Sequence, residues 1–414
     1  MRNIYTGIEL GSNSIKIVVC EKTNDEWHVL ASVASESSGI KNGQVVEMKR
    51  AISSVKEAFR QIDEMLGIKI TKVVACVPPT DCNMDIVVGS SNVEDVTGIV
   101  GEDISNALSD ALRGQNFDEY ELVTATPISF KVDDKENVKD PKGMKGDVLE
   151  TRVVISTLPK EGLYRILEVL KLSGIETVDI AFTSTGDYYS IKNNHYDEVV
   201  GAIINIGETS TNVSVFNKGI QIKHSIIPVG SYNVDRDISY VFKVDNSAAR
   251  KLKETFAVSM SSYADSNDLV EVTDHVGEKK MISQVGVSKI VESRLREILK
   301  FAKNEIKNLT NREIRYIIIT GGLSELAGFS YLVEEEFGSL AKVCNISTMG
   351  IRHNKYSSAL GIVKYFDDKL SLRGKSYNML NKEDIESLIS TGQRLTNNDN
   401  IISKVFGLFF ERRV

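Results

Sequence analysis

The apolar positions of this chain change period along its length, and each change marks an element. Runs of Ile, Val and Ala at Ala202–Ile206 and Asn212–Phe216 predict two short strands joined by a tight turn that begins at Gly207. Tyr5–Val19 repeats the layout of strand, glycine turn, strand. Laying Glu9 over Asn205 places Leu10 on Ile206, Gly11 on Gly207, Ser12 on Glu208, Ser14 on Ser210 and Ile17 on Val213. Glu26–Ser35 extends the first copy by a third strand, and Gly39–Val46 reads as a loop. Lys49–Leu66 carries Ile52, Val55, Phe59, Ile62 and Leu66 at helical spacing, and Lys72–Val77 is a buried strand stopped by Pro78 and Pro79.

Between Met84 and Gly162 the texture changes. A strand at Ile86–Val88, a helix over Glu102–Arg113, a strand over Leu122–Val132 interrupted at Pro127, a charged loop Asp133–Asp147 and a strand Thr151–Thr157 make a small α/β unit inserted in the first half. A helix over Gly162–Leu172 and a strand at Thr177–Ala181 lead back. The second half adds a strand at Ile220–Val229, helices over Val234–Phe242 and Ser247–Phe256, and a Ser-rich, mobile Ala257–Asp268. A long helix over Val287–Leu309 turns Ile290, Leu295, Ile298, Phe301, Ala302 and Ile306 inward. Arg315–Thr320 is a strand running into Gly321 and Gly322, followed by a helix over Leu323–Phe337 and a final helix over Ser357–Phe366. Leu370–Asn400 is polar and linker-like, with a short helix at Glu383–Ser390.

Composition narrows the function classes. With 414 residues, 42% hydrophobic and 26% charged, the chain is long enough for two or three domains of ordinary globular make-up. A net charge of −7, with Lys and Arg scattered, gives no footprint for nucleic acid. Cys20, Cys76, Cys82 and Cys344 lack metal-ligand spacing and fit a reducing cytoplasm. No apolar run reaches the ~18 residues of a membrane span, and the N-terminus runs directly into a strand without a signal-peptide pattern.

The two turns carry the candidate chemistry. Gly207, Glu208, Thr209 and Ser210 group backbone N–H donors with hydroxyls, the equipment for holding a phosphate; Gly11, Ser12 and Asn13, with Lys16 beyond, form the other copy. Two copies nearly half a chain apart imply two halves facing across a cleft. Thr320-Gly321-Gly322, with Leu323 beyond, lets backbone approach a ligand because glycine lacks a Cβ. Ordinary glycine hairpins and an unliganded strand-to-helix turn remain open on these residues alone. A P-loop does not: Gly374-Lys375-Ser376 has no glycine at the required distance upstream.

Together these pieces resemble the actin, sugar-kinase and heat-shock-chaperone superfamily, and within it the FtsA family of actin-like bacterial division proteins. Asp140-Pro-Lys-Gly-Met-Lys-Gly146 is similar to that family's DPxGMxG loop, Pro228-Val-Gly230 with Val234, Asp237 and Ile238 to the entry of its nucleotide-side subdomain, and Ala249–Phe256 to its A-E-x-[IL]-K segment. The resemblance implies an α/β, actin-like two-lobed fold with an inserted small α/β subdomain and a C-terminal amphipathic helix. It divides the chain into a first subdomain (1–83, 163–198 and 352–368), an insert (84–162), a second core subdomain (199–232 and 308–351), a nucleotide-side and partner-binding subdomain (233–307), a linker (369–399) and a membrane-targeting helix (400–414). It implies ATP with Mg²⁺, the hairpins gripping phosphates, Gly230 and Lys253 on the nucleotide side, Gly321, Gly322 and Leu323 at the adenosine, and Glu9 reaching the metal through water. It also implies filament formation and binding of the C-terminal tail of FtsZ, with Arg294 of Glu292-Ser-Arg294 pairing with that acidic tail; a helix arginine paired with Glu297 is the plain alternative.

Three departures from the superfamily bear on chemistry. The acidic residue before each glycine turn is Glu9 in the first copy and neutral Asn205 in the second, and Asn205 cannot act as a base. Arg250 stands where the family usually has a ribose-binding Glu. Ala181–Thr185 matches the family's E-P-x-A-S segment poorly. The expectation is a nucleotide clamp with hydrolysis slow at most.

Residues 400–414 differ from the rest. Ile401, Ile402, Val405, Phe406, Leu408, Phe409 and Phe410 cover about half of a helix. Lys404, Arg412 and Arg413 against Glu411 suit an anionic lipid surface at the cytoplasmic face of the cell membrane. Docking of this helix on the protein's own core is the alternative. Two competing readings remain: a pilus-assembly actin-like protein, which needs no terminal membrane helix, and a kinase or chaperone-like ATPase, which relies on the carboxylate missing at Asn205.

Overall fold

The computed structural model describes residues 3–94 and 97–388. The first antiparallel run is β1 (Asn3–Leu10), β2 (Ser14–Thr23) and β3 (Glu26–Glu36). A short hairpin, β4 (Ile40–Lys41) and β5 (Gln44–Val45), occupies the segment expected to be loop. Helix α1 (Met48–Leu66) buries Val55, Phe59, Ile62 and Leu66 on one stripe and ends at Gly67, whose φ of 69° places it in the left-handed region glycine adopts at helix ends. Burying each such side chain contributes roughly 1.5–3 kcal/mol. Strand β6 (Lys72–Val77) follows, buried throughout apart from Lys72.

The insert comprises β7 (Asn83–Asn92), α2 (Gly101–Leu112), β8 (Tyr120–Val132), β9 (Lys135–Val138) and β10 (Val148–Pro159), in the order β7-β10-β8-β9. β8 is not interrupted at Pro127; the ladder absorbs the missing N–H by shifting register between Arg152 and Val153 opposite it. The charged loop contains β9, which pairs Phe130 with Val138. The insert has its own core, in which Ile104, Leu108, Phe130 and Ile155 are buried.

The chain returns through α3 (Lys160–Leu172) and β11 (Glu176–Phe182) to α4 (Thr183–Ile191), a helix the apolar pattern does not announce. Its buried residues are Ser184, Gly186, Asp187, Tyr188 and Ser190, so it shows no apolar stripe. The second half opens with β12 (Val200–Ile206), β13 (Thr211–Asn217) and β14 (Ile220–Ile227). Then come α5 (Ser231–Phe242), α6 (Asn246–Thr255), a hairpin absent from the sequence expectation made of β15 (Leu269–Thr273) and β16 (Lys279–Ser283), and α7 (Gln284–Leu309). β17 (Tyr316–Thr320), α8 (Phe329–Phe337), β18 (Ala341–Val343) and α9 (Ser357–Leu372) follow, and residues 382–388 are again helical.

The repeat read from two hairpins extends to whole sheets. One runs β3-β2-β1-β6-β11 and the other β14-β13-β12-β17-β18, each an antiparallel trio joined to two parallel strands. Between them lies a shared core: Tyr5, Val18 and Val74 of the first sheet and Ile203, Phe216 and Ile318 of the second pack with Ala359, Leu360 and Ile362 of α9. α9 crosses α4 at glycines. A Cβ on Gly361 would stand 1.7 Å from the Gly186 carbonyl oxygen, so only hydrogen fits.

Several expectations need correction. The helix after Gly322 is broken: a 3₁₀ turn covers Gly322–Glu325, Gly328 takes a φ of 77°, and α8 starts only at Phe329. Phe301 on α7 faces outward at 41% exposure, because the buried stripe runs Val287, Val291, Leu295, Ile298, Ala302 and Ile306 and passes beside it. The Ser-rich 257–268 segment is pinned: Ser261 N–H and Oγ both donate to Glu292 Oε2, at 2.7 and 2.8 Å. The stretch expected as linker is not free over its described part. Met379 N–H donates to the Ile4 carbonyl at 3.0 Å, and Met379, Leu380 and Leu388 are buried in the first lobe. No helix among the described residues is long and apolar enough to cross a membrane. The amphipathic segment 400–414 lies outside the described residues, and with it Ile401, Ile402, Lys404, Val405, Phe406, Phe409, Phe410 and Arg413.

Candidate functional site

The two glycine turns adopt one local geometry. Gly11 N–H donates to the Ser14 carbonyl at 3.1 Å, and Gly207 N–H donates to the Ser210 carbonyl at 2.9 Å, at the same offsets. Each turn closes an antiparallel ladder, with Glu9 paired to Lys16 in one and Asn205 to Asn212 in the other. The turns face one another: Ser12 Oγ and Thr209 Oγ1 are 3.5 Å apart. Between and around them lies a cleft of about 1080 Å³.

That cleft gathers almost every residue singled out from the sequence. Glu9, Gly11, Ser12, Asn13 and Lys16 line it from the first lobe; Asn205, Gly207, Glu208, Thr209 and Ser210 line it from the second. Lys253 of α6 and Gly321, Gly322 and Leu323 after β17 complete its far side. Gly230 sits behind the second turn. A Cβ there would meet the Gly207 and Glu208 carbonyl oxygens at 2.6 and 2.7 Å, and the first N–H groups of α5 brace the same carbonyls: Ser231 N donates to Gly207 at 2.9 Å, Tyr232 N to Glu208 at 2.8 Å. Gly321 has a φ of 97°, and its Cβ would lie 2.3 Å from the Ile206 carbonyl, so the third glycine feature abuts the second turn.

Charge is arranged differently at the two turns. Glu9 Oε1 accepts from Lys16 Nζ at 2.8 Å, with both side chains largely buried. Asn205 turns its amide inward, Nδ2 donating to Asp187 Oδ2 at 2.7 Å. Asp187 on α4 also accepts from Ser357 Oγ at 2.6 Å and Ser358 Oγ at 2.8 Å. Burial outweighs these three hydrogen bonds and pushes the Asp187 carboxyl up to about 6. Asp187 thus ties β12, the strand leading into the second turn, to the α4–α9 crossing. Sequence reasoning missed it because α4 has no periodic signal; its sole mark is a carboxylate beside Gly186 in a small-residue run.

Arg250, flagged only as a departure, has a defined place. From α6 its Nη1 donates to Asn13 Oδ1 on the first turn at 2.5 Å, its Nη2 pairs with Glu208 on the second, and its Nε lies 3.4 Å from Asp235 Oδ2. Lys253, 2% exposed, shares Asp235 at 2.7 Å and donates to Ser231 Oγ at 2.6 Å. Lys355 also lines the cleft; burial and the nearby Lys16 lower its pKa. Across the cleft Cys82 Sγ lies 3.5 Å from His224 Nδ1, burial pushing the thiol up to about 12 and the imidazole down.

The side chains on and just before the two turns do not fit Mg²⁺ as direct ligands. Mg²⁺ favours carboxylates and water in a strict octahedron; here Glu9 is offset by Lys16, Asn205 is neutral, and Glu208 is paired with Arg250. No cluster of three or more His, Cys, Asp or Glu suited to a metal occurs among the described residues. Arg294 lies away from the cleft on α7. It donates to Asp237 through Nε at 2.6 Å and Nη2 at 3.1 Å, and it pairs with Glu297, so an acidic partner would have to compete with those carboxylates.

Comparison with known proteins agrees with this architecture. Among solved structures, a chain of the PilM-PilN type IV pilus biogenesis complex superposes with a TM-score of 0.59 at 15% identity, covering 87% of this chain and 98% of that one. MreB5 of Spiroplasma citri bound to ADP gives 0.54 at 12%, covering 89% and 97%. Both show the actin-like fold. By sequence, the cell division protein FtsA of Bacillus subtilis is 25% identical over 90% of this chain and 85% of that protein, and the FtsA of Borreliella burgdorferi is 25% identical over 99% of each. The family profile of cell division protein FtsA matches residues 202–361, and that of the SHS2 domain inserted in FtsA matches residues 82–157. With the inserted subdomain and the second lobe both matched and curated relatives aligned over most of its length, the chain belongs to the FtsA family of actin-like cell division proteins.

Proposed function

We propose that this protein binds ATP between its two lobes, polymerises on the cytoplasmic face of the cell membrane at the division site, and tethers the FtsZ ring there. The observation that carries the nucleotide part is the pair of glycine turns, closed by the same internal hydrogen bond and facing each other across one cleft with Ser12 and Thr209 3.5 Å apart. Backbone N–H groups and hydroxyls so placed suit phosphate oxygens. The family resemblance assigns the nucleoside to Lys253 and the Gly321–Leu323 turn, and these residues line the same cleft. A nucleotide that touches both turns would favour a closed arrangement of the lobes and so select the state that polymerises.

Hydrolysis would be slow. Asn205 cannot take a proton, and Asp187 behind it has both oxygens committed to hydroxyl and amide donors. Mg²⁺, which the family resemblance implies with the nucleotide, meets no uncommitted carboxylate on either turn. Membrane attachment is assigned to residues 400–414 on their amphipathic pattern, reinforced in a filament by many weak anchors acting together. Tail binding is assigned to the α7 face carrying Arg294.

Co-sedimentation with anionic liposomes and FtsZ, with and without ATP, tests this reading. FtsZ should pellet with liposomes only when the protein is present, and more of it with ATP. Phe406→Glu should release both proteins, whereas Arg294→Glu should release FtsZ alone. Equal flotation of Phe406→Glu and wild type would remove the membrane anchor, and several ATP turnovers per second without a partner would remove slow hydrolysis.

A further inference from the structure

We propose that Arg250 and Lys16 neutralise the nucleotide phosphates, so that the cleft takes a nucleoside di- or triphosphate as the metal-free anion. The inference rests on the nucleotide-binding reading above and specifies the ionic form of the ligand.

Arg250 is placed for this role by three contacts. Its guanidinium touches Asn13 of the first turn and Glu208 of the second, so a planar cation stands between the turns whose N–H groups and hydroxyls would meet the phosphates. Asp235 lies 3.4 Å from its Nε, while its two terminal nitrogens reach Asn13 and Glu208, which line the cleft. An arginine fork matches phosphate oxygens two at a time and is always charged. Lys16 stands on β2 opposite Glu9, its Nζ 3.3 Å from where a Cβ of Gly11 would lie.

The carboxylates that would organise a divalent cation are spent at the same places. Glu9 is held by Lys16. The equivalent position on the second turn is neutral Asn205, whose amide nitrogen is turned to Asp187. Glu208, on the second turn itself, is paired with Arg250. A divalent cation between the turns would therefore meet turn carboxylates already paired with a guanidinium and an ammonium. When phosphate enters, Nη1 of Arg250 exchanges Asn13 for a phosphate oxygen, and its pairs with Glu208 and Asp235 are kept.

The test is calorimetric titration of ATP and of ADP into the full chain, in excess EDTA and in excess MgCl₂. Wild type should bind in both media with affinities within about threefold. Arg250→Gln should bind about tenfold or more weakly in EDTA, the size expected for losing a charge-assisted hydrogen bond, and Arg250→Lys should recover part of the loss; thermal melts establish that both variants are folded. Binding by wild type only with Mg²⁺ overturns this inference and leaves the nucleotide reading standing. Unchanged affinity in a folded Arg250→Gln also overturns it. No binding in either medium overturns both.

Discussion

The first and second glycine turns share a backbone and differ in chemistry. At the first, the acidic position is charged and neutralised on the facing strand by Lys16. At the second, it is a neutral amide whose charge partner lies a layer deeper, on Asp187. The second turn is also braced from outside by two N–H groups at the N-terminus of α5, whereas at the first turn the Ser37 N–H donates to the Asn13 carbonyl at 3.0 Å. The lesson is that turn geometry and the charge set beside it are separable. The former depends on glycines and a four-residue turn, which both copies keep; the latter depends on one side chain per copy, and here it has been rebuilt.

The largest expected effect concerns how each hairpin is seated. A Cβ on Gly7 of β1 would stand 2.0 Å from the Ala359 carbonyl oxygen of α9, whereas one on Gly201 of β12 would meet the ring of Tyr316 at 2.1 Å. Helix backbone cannot move aside, and the buried Tyr316 ring can do so only by displacing Tyr196 packed on it, so Gly7→Ala should lower unfolding stability by about 3 kcal/mol or more and Gly201→Ala by about 2–3 kcal/mol. Chemical denaturation of the two variants compares them, and equal losses would mean the hairpins are seated alike.

Next comes Asp187, which only the second turn possesses. Its carboxyl is raised to about 6 in the fold against 3.8 for the free group. Its contribution is therefore fully present below about pH 4 and is lost as pH rises through about 6, a change on the order of 2–3 kcal/mol. Denaturation midpoints of wild type measured against Asp187→Asn should show wild type losing ground over that window. Parallel pH profiles would contradict the burial argument.

Asn205→Asp restores the superfamily's acidic residue and would place a second carboxylate against Asp187. Two such groups share a proton rather than both ionise. The variant should lose about 1–2 kcal/mol more between pH 5 and 8 than wild type does, with no gain in ATP turnover; a gain in turnover would show that Asn205 alone limits the chemistry. Smallest is Glu9→Gln, which removes a largely buried pair but leaves Lys16 an amide oxygen to bond. About 1 kcal/mol or less is expected, read as a shift in melting temperature.

Much of the site was legible in the sequence because it rests on glycine offsets that repeat. Aligning Glu9 with Asn205 gave both turns, and Thr320-Gly321-Gly322 marked the third wall of the cleft. What stayed hidden is what periodicity does not encode. α4 packs through Gly186 against Gly361 and shows no stripe, so Asp187 was invisible. Residues 377–388 look polar enough for a linker, yet Met379, Leu380 and Leu388 are buried by contacts with elements hundreds of residues away. Arg250 was legible only as an exception; its partners Asn13 and Glu208 lie on different lobes and meet it only in three dimensions.

The most direct test of the central claim, that both turns hold one nucleotide, is equilibrium dialysis of labelled ATP against the full wild-type chain beside Gly207→Val and Gly11→Val, each shown to be folded. The expected result is saturable binding of one ATP per chain, displaced by ADP and weakened by either substitution. Saturable binding that neither substitution changes, or no binding up to about 1 mM ATP, would contradict it.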